Sequence, residues 1–366
     1  MDLIVRGEVI TGAESSLPQV GIQDGRFVLG RGASAPGLDV AHVIEGWALP
    51  GLVDVHCHIG LSDQGAVDEQ TALAQARADA NAGTLLVRDA GVPSDTRWLE
   101  GREDVPRIIR SGRHIARPKR YLRHFGRELE SVDLLPQEMA AQARAGDGWV
   151  KIVGDWIDRV RGAEADLEPL WPGDVLADGV ARVHDEGGRV TVHTFAAETL
   201  DDMLAAGVDC IEHGTGMTDH HMQIAAARRI PVVPTLLQVN RFGEIAEQGA
   251  EKYPHFAARM RQMHRRRYQH VRDLYDAGVP LLVGTDAGGT IPHGQIAAEC
   301  AQLVRAGIPV TAVLAAATWA ARDFLGRPGI AEGAPADLVV YPDDPRQDIA
   351  VLAHPTAVIR GGRVIA

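Results

Sequence analysis

The sequence predicts an α/β protein: a (β/α)8 TIM-type barrel with a small composite β-sandwich domain built from both chain ends. Three observations carry this expectation. Eight short apolar runs alternate with alanine-rich helical stretches, glycines close several of those stretches, and strand-like segments without helices are confined to the two termini. The length of 366 residues by itself suggests about two domains.

In chain order, residues 2–10 (DLIVRGEVI), 19–29 and 42–49 are short, partly alternating apolar runs, punctuated by Gly-Ala, Asp-Gly and Ala-Pro-Gly turns. The C-terminus repeats this pattern at 336–341 and 356–366. Neither end holds enough strands to close a core alone, so residues 1–48 and 331–366 are expected to pair as one domain. The barrel then takes residues 49–330. Its strands are read at 48–55, 84–87, 107–109, 149–153, 189–192, 208–211, 230–233 and 279–283, with helices at 70–82, 136–145, 176–186, 197–206 and 222–229. Gly83, Gly207 and Gly278 each stand just before the next strand, which is helix C-cap chemistry. A doubly wound open sheet is the alternative, because strand counting does not reveal closure.

Composition narrows the function. Lysine plus arginine total 37 against 49 acids, a net charge of −12, which argues against nucleic acid as a partner. Cys57, Cys210 and Cys300 are too few and too scattered for a disulfide framework. The N-terminus lacks the basic start and apolar core of a secretion signal, and no apolar run approaches the roughly 18 residues of a membrane span. The expectation is a cytoplasmic homo-oligomer acting on a small molecule, with neither membrane nor nucleic acid as partner.

Chemistry enters at the C-terminal ends of the barrel strands, where barrel enzymes place their sites. His56 and His58 end the first strand, and the alternation of a strand sends both imidazoles to one face and Cys57 to the other. Lys151 lies in the fourth strand, His193 ends the fifth, His213 the sixth and Asp286 the eighth. A single histidine here reads most simply as a hydrogen-bonded core residue, and a single aspartate as a helix cap. Six coincident placements point instead to a metal centre. Imidazoles with a carboxylate suit one or two Zn²⁺ ions, with Mn²⁺, Fe²⁺ or Co²⁺ as alternatives. Lys151, flanked by Val150 and Ile152, is expected to have a depressed pKa; its neutral amine can take up CO₂ as a carbamate. The alternative is a lysine paired with an acid such as Asp155.

These segments resemble the amidohydrolase superfamily. The likeness runs through Leu49-Pro-Gly-Leu-Val-Asp-Val-His-Cys-His58, Val192-His193-Thr194, Ile211-Glu-His213-Gly-Thr215, Gly284-Thr-Asp286-Ala-Gly288 and Gly329-Ile-Ala-Glu-Gly-Ala-Pro-Ala-Asp-Leu-Val-Val340. Lys151 and the Glu-His-Gly-Thr context look like the imidazolonepropionase-like branch that includes Xaa-Pro dipeptidase-type peptidases. The resemblance implies a metal-dependent hydrolase in which His56, His58 and Asp286 hold one ion and His193 and His213 a second. Carboxylated Lys151 would bridge them, and a hydroxide between the ions would attack the carbonyl of a C–N bond. Asp286 would act as general base and then general acid.

Two departures matter. Relatives often carry Gly-Gly-His after strand three, whereas this chain has Arg113-His-Ile-Ala-Arg-Pro-Lys-Arg-Tyr-Leu-Arg-His124, so His124 is the candidate for that catalytic loop histidine. Gly216 stands where some relatives have a tyrosine. Residues 106–127 hold eight cations and no acid, a local excess suited to clamping a substrate carboxylate, or else a solvated loop or subunit contact. Arg117, Tyr121 and His293 are the candidate substrate contacts. Arg88 and Asp89 read as a structural pair. The expected reaction is hydrolysis of an amide, cyclic amide, N-acyl amino acid or dipeptide; a deaminase or a lactone or ester hydrolase on the same metal site are the alternatives.

Overall fold

The computed structural model describes residues 2–30 and 42–366. The expected Ala35-Pro36-Gly37 turn lies outside the described residues. Both chain ends contribute to one seven-stranded sheet. Its core is the strand His42–Pro50, which runs parallel to Leu3–Gly12 and antiparallel to Leu338–Tyr341. Two close backbone approaches make glycine necessary there. A Cβ on Gly7, at φ 128°, would lie 2.3 Å from the Gly46 carbonyl oxygen, and one on Gly46, at φ 152°, would lie 2.6 Å from that of Tyr341.

In place of two separately hydrogen-bonded layers, the ladder is continuous, and its two ends approach each other. Phe27 N donates to Ala334 O across 2.9 Å, and Gly25 packs against Gly362. The sheet thus curls over a core of its own that includes Val5, Val20, Phe27, Leu338 and Ile359. Its other face buries Leu49, Val339, Tyr341 and Val358 together with Leu303 and Leu314 of the helices Ile296–Arg305 and Val310–Ala317.

After Gly51 the chain enters a succession of parallel strands. Leu52–Cys57 pairs with Thr84–Asp89, which pairs with Arg107–Arg110. Trp149–Val153, Arg189–Thr194, Cys210–His213 and Val232–Val233 follow in order. Between the two groups, Asp147 N donates to Arg110 O at 2.8 Å and Ile115 pairs with Ile152. The expected eighth strand at 279–283 is not a regular strand. It joins Val232 through a single bridge at Leu281, and the first strand through Val55 N to Val283 O at 2.9 Å and Asp286 N to His56 O at 2.7 Å. Pro280 and Gly284 explain the irregularity: one offers no N–H, and a Cβ on the other would meet the His56 Cβ at 2.6 Å.

The alanine-rich stretches are helices, including Glu69–Asn81, Leu135–Ala145 and Gly173–Asp185. Gly83, Gly207 and Gly278 take φ of 89°, 86° and 81°, the left-handed geometry of helix ends. An insertion between the seventh and eighth runs adds the helix Phe242–Gly249 packed on the long Pro254–Asp276 helix. Arg259 ties that pair to the rest of the mouth, donating to both oxygens of Glu198 at 2.9 Å and to Asp166 at 2.9 Å. No helix among the described residues is long and apolar enough to cross a membrane.

Candidate metal centre

The first strand ends in His56-Cys57-His58, and its two imidazoles converge on one carboxylate. Asp286 Oδ1 lies 3.0 Å from His56 Nε2 and 3.2 Å from His58 Nε2. Cys57 faces the other way, with Sγ 3.6 Å from Asp79 Oδ2 of the helix Glu69–Asn81, as strand alternation predicts. Asp54 fixes this end of the strand by accepting from His56 N at 3.0 Å, Thr285 N at 3.1 Å and the Thr285 hydroxyl at 2.6 Å. The backbone carrying Asp286 is thereby fastened to the backbone carrying His56.

The remaining ligand candidates approach from neighbouring strands. His213 Nε2 sits 2.9 Å from His193 Nδ1, and Lys151 Nζ lies 3.5 Å from His56 Nε2. All of these side chains are buried except Asp286, which is partly open to the cavity above. Glu212 pairs in register with His193, so an extended backbone would face Glu212 inward and His213 away. His213 instead adopts φ 66° and Asp286 φ 57°, left-handed conformations that a non-glycine residue enters only at a cost of about 1–3 kcal/mol. The turn at each strand end redirects the side chain toward the centre.

The electrostatics follow from burial. Desolvation pushes the His213 imidazole down to about 3 and His193 well below its ordinary value, leaving both neutral, the form that coordinates metal. Lys151 is lowered by the same burial, against the pull of Glu212 and Asp286. Burial opposes ionisation of Asp286, but the facing His56 and His58 outweigh it and hold the carboxyl well below the usual range. His58 Nδ1 donates to Gly91 O at 2.9 Å and His213 Nδ1 meets Thr235 Oγ1 at 2.7 Å, which leaves each Nε2 facing the centre. His193 Nε2 is buried without a partner among the described residues. His56, His58 and Asp286 offer ligand atoms within 4.8 Å of one another, and the His193–His213 pair stands beside them with the His213 ring 5.2 Å from that of His56, a donor set that fits one or two divalent ions.

Several expectations need correction. His124 is exposed on the loop, at φ 67°, and does not line the cavity. The histidine brought inside is His114, with Nδ1 3.0 Å from Gly91 O and its ring 6.2 Å from His58 and 5.1 Å from Tyr121. Burial and the neighbouring His58 push its imidazole down to about 3. The loop winds outward after Ile115, so the histidine nearest the strand is the one that stays in. Arg117 reaches the Glu130 carbonyl and the Trp171 ring, away from the cavity. His293 points behind the first strand, with Nδ1 2.7 Å from Asp79 Oδ2. Tyr121 does line the cavity, its ring 5.5 Å from His193.

Lys151 is not paired with Asp155. That carboxylate accepts from the Thr194 hydroxyl at 2.6 Å and from Phe195 N and Ala196 N at 3.1 Å, holding the turn after His193. Nor do Arg88 and Asp89 pair, because neighbouring strand residues face opposite ways. Arg88 donates to Val55 O at 2.7 Å and meets Glu212, which also receives the Thr191 hydroxyl. Glu212 in turn lies 2.8 Å from His56 Nδ1. Sequence reasoning missed this Arg88–Glu212–His56 relay, although strand alternation at Glu212 carried the signal.

The pattern of the amidohydrolase family matches residues 47–365. The chain belongs to the amidohydrolase family. Among curated relatives of this amidohydrolase, an uncharacterized protein of Mycobacterium tuberculosis, Rv2915c, is 51% identical over 318 residues, covering 87% of this chain and 85% of the relative. Solved structures similar to it include a Xaa-Pro dipeptidase with methionine bound in its active site, at TM-score 0.81 and 21% identity over 99% of both chains. A putative prolidase from Bifidobacterium longum gives TM-score 0.83 at 23% identity, covering 99% of this amidohydrolase and 94% of that chain. The ochratoxinase of A. niger gives 0.81 at 18%, covering 99% and 95%. At these identities the likeness is one of fold.

Proposed function

We propose that this amidohydrolase is a metal-dependent enzyme that hydrolyses the C–N bond of an amide, cyclic amide, N-acyl amino acid or dipeptide. The observation that carries the reading is the convergence of His56, His58, His193, His213, Lys151 and Asp286 at one end of the parallel strands. The pairings that lead from the first strand through the seventh, and from 280–286 back to the first, support a closed barrel spanning 49–330, with 1–48 and 331–366 as the composite domain.

His56, His58 and Asp286 would hold one divalent ion and His193 and His213 a second, with Lys151, as its CO₂ carbamate, between them. Bound there, such ions supply activated water at neutral pH and polarise the scissile carbonyl. Asp286, ionised and partly open to the cavity, takes a proton from the attacking water and returns it to the leaving nitrogen. Glu212 orients His56, while Gly91 O orients His58 and His114 together.

Deamination is the weaker reading. It calls for a glutamate shortly after the fifth-strand histidine, and Glu198 instead pairs with Arg259 outside the centre. Purification with chelator, followed by readdition of Zn²⁺ or Mn²⁺, tests the proposal against a broad amide panel. Activity should vanish and return, and the His56→Ala variant should stay inactive. Ammonia release from amine-bearing heterocycles without amide cleavage would replace the reading with a deaminase.

A further inference from the structure

Above the metal centre lies a cavity of about 430 Å³ with His58, His193 and Asp286 in its floor. This is the size range of pockets that enclose small ligands. Three segments wall it: the loop after the third strand, the hairpin of Asp155–Ile157 with Leu167–Pro169, and the helix pair tied down by Arg259. What those segments present is mainly aromatic and aliphatic. Tyr121 and Trp156 pack edge to face at 4.7 Å, both stand 5.5 Å from the His193 ring, and Phe195 stands 4.3 Å from it. Phe256, Met260 and Leu167 continue the wall outward.

Besides Asp286, the charged residues that line the cavity are Asp63, Arg159, Arg241 and Glu244. None of the eight cations between Arg107 and Arg127 lines the cavity. Arg107 pairs with Asp337, Arg110 with Glu100 and Asp147, and Arg120 donates to the carbonyls of Trp156 and Glu168. Arg241, at the rim, is held by Glu244 at 3.2 Å and the Thr290 carbonyl at 3.0 Å. Arg159, exposed at the mouth, is the one lining cation without an acidic partner among the described residues. Among the described residues, a free amino acid carboxylate therefore finds no buried, prearranged clamp, and its desolvation against this wall is a penalty.

We infer that the substrate is an uncharged carboxamide carrying an aryl or bulky alkyl group, which packs against Tyr121, Trp156, Phe195 and Phe256. The inference rests on the amide-hydrolase reading above and narrows it. Water adds across the C–N bond: its oxygen goes to the carbonyl carbon, the C–N bond breaks, and the nitrogen gains a proton, giving a carboxylic acid and an amine.

The test compares three matched sets on the metal-loaded enzyme: 4-nitroanilides of acetic, hexanoic and benzoic acids, N-benzoyl amino acids, and unmodified dipeptides. The hexanoyl and benzoyl anilides should exceed the charged sets by about tenfold or more in kcat/KM. Trp156→Ala and Phe256→Ala should each raise KM for the benzoyl anilide by about tenfold, with little change for the acetyl compound. Binding is read separately, without turnover, by fluorescence quenching of metal-free protein with benzanilide or a dipeptide, using Trp156→Phe to isolate that indole. Preferential quenching by benzanilide supports the inference even if no set is hydrolysed, an outcome that would sink only the hydrolase reading. Charged substrates cleaved as well as the neutral ones, or equal binding of dipeptide and benzanilide, would overturn it.

Discussion

Glu212 braces His56 from the side away from Asp286. Its Oε2 lies 2.8 Å from His56 Nδ1 while Nε2 faces Asp286 at 3.0 Å, and Arg88, fully buried, holds Glu212 in that position. Desolvation resists the charge on Glu212, yet Arg88 and His56 keep its carboxyl well below the ordinary value. Glu212→Gln should therefore weaken metal affinity by about 10–100-fold, measured by competition with a chromogenic chelator, while the fold is retained. A second prediction separates two histidines of one loop. His114→Ala should reduce kcat by about tenfold or more, since it shares the Gly91 carbonyl with His58 and packs on Tyr121. His124→Ala, at an exposed position, should behave like wild type. Equal effects of the two substitutions would contradict the assignment. That His56, His58, His193, His213, Lys151 and Asp286 gather at one end of the strands was legible in the sequence, because strand ends and His-X-His alternation mark them. Which of two loop histidines turns inward was not, because that depends on the path of a segment with little regular structure.

At the scale of elements, the helix pair over the mouth packs through Phe242, Ala246, Ala257 and Met260 and is tied to the neighbouring loops by Arg259. The guanidinium joins the Pro254–Asp276 helix to Asp166 near the fourth-strand hairpin and to Glu198 after the fifth strand. Arg259→Ala should loosen the wall carrying Phe256 and Met260. Hydrogen exchange across 242–260 should quicken, and KM for bulky amides should rise several-fold with kcat less affected; unchanged exchange would place the restraint elsewhere. The sequence shows this arginine only as part of a basic stretch, 259–272, suggestive of a solvated surface or an oligomer face. Periodicity locates the helix, but the acids that meet Arg259 lie 61 and 93 residues away. The eighth strand was likewise legible as an apolar run, and its irregularity followed only from Pro280 and the contact of Gly284 with His56.

For the molecule as a whole, the terminal sheet and the barrel strands meet at Asp337. Its carboxylate lies 2.7 Å from Arg107 Nε of the third barrel strand and accepts from Gly361 N at 2.7 Å, with Arg360 at 3.4 Å. Burial alone would raise its pKa, but Arg107 and Arg360 prevail and hold it below the ordinary value. A carboxyl depressed in the folded state stabilises fully above its unfolded pKa of about 4, and that contribution fades as pH falls toward the folded value. Asp337→Asn should cost about 1.5–3 kcal/mol at neutral pH, with the difference from wild type shrinking below about pH 4 in denaturant titrations. A difference independent of pH would mean that shape, not charge, joins the two parts. That both termini share one sheet was readable from strand counts at each end. That the sheet is continuous and curled was not, because it depends on the close approach of Gly7 to Gly46 and of Gly25 to Gly362.

The proposed reaction requires a metal held by the six converging side chains. Its test is hydrolysis of a neutral aryl amide, followed as chelated protein is titrated with Zn²⁺ or Mn²⁺. Turnover should be absent without the ion, rise to saturation at a stoichiometric ratio of ion to chain, and stay absent in the His56→Ala variant. Turnover undiminished in fully chelated protein, or equal in that variant, would contradict it.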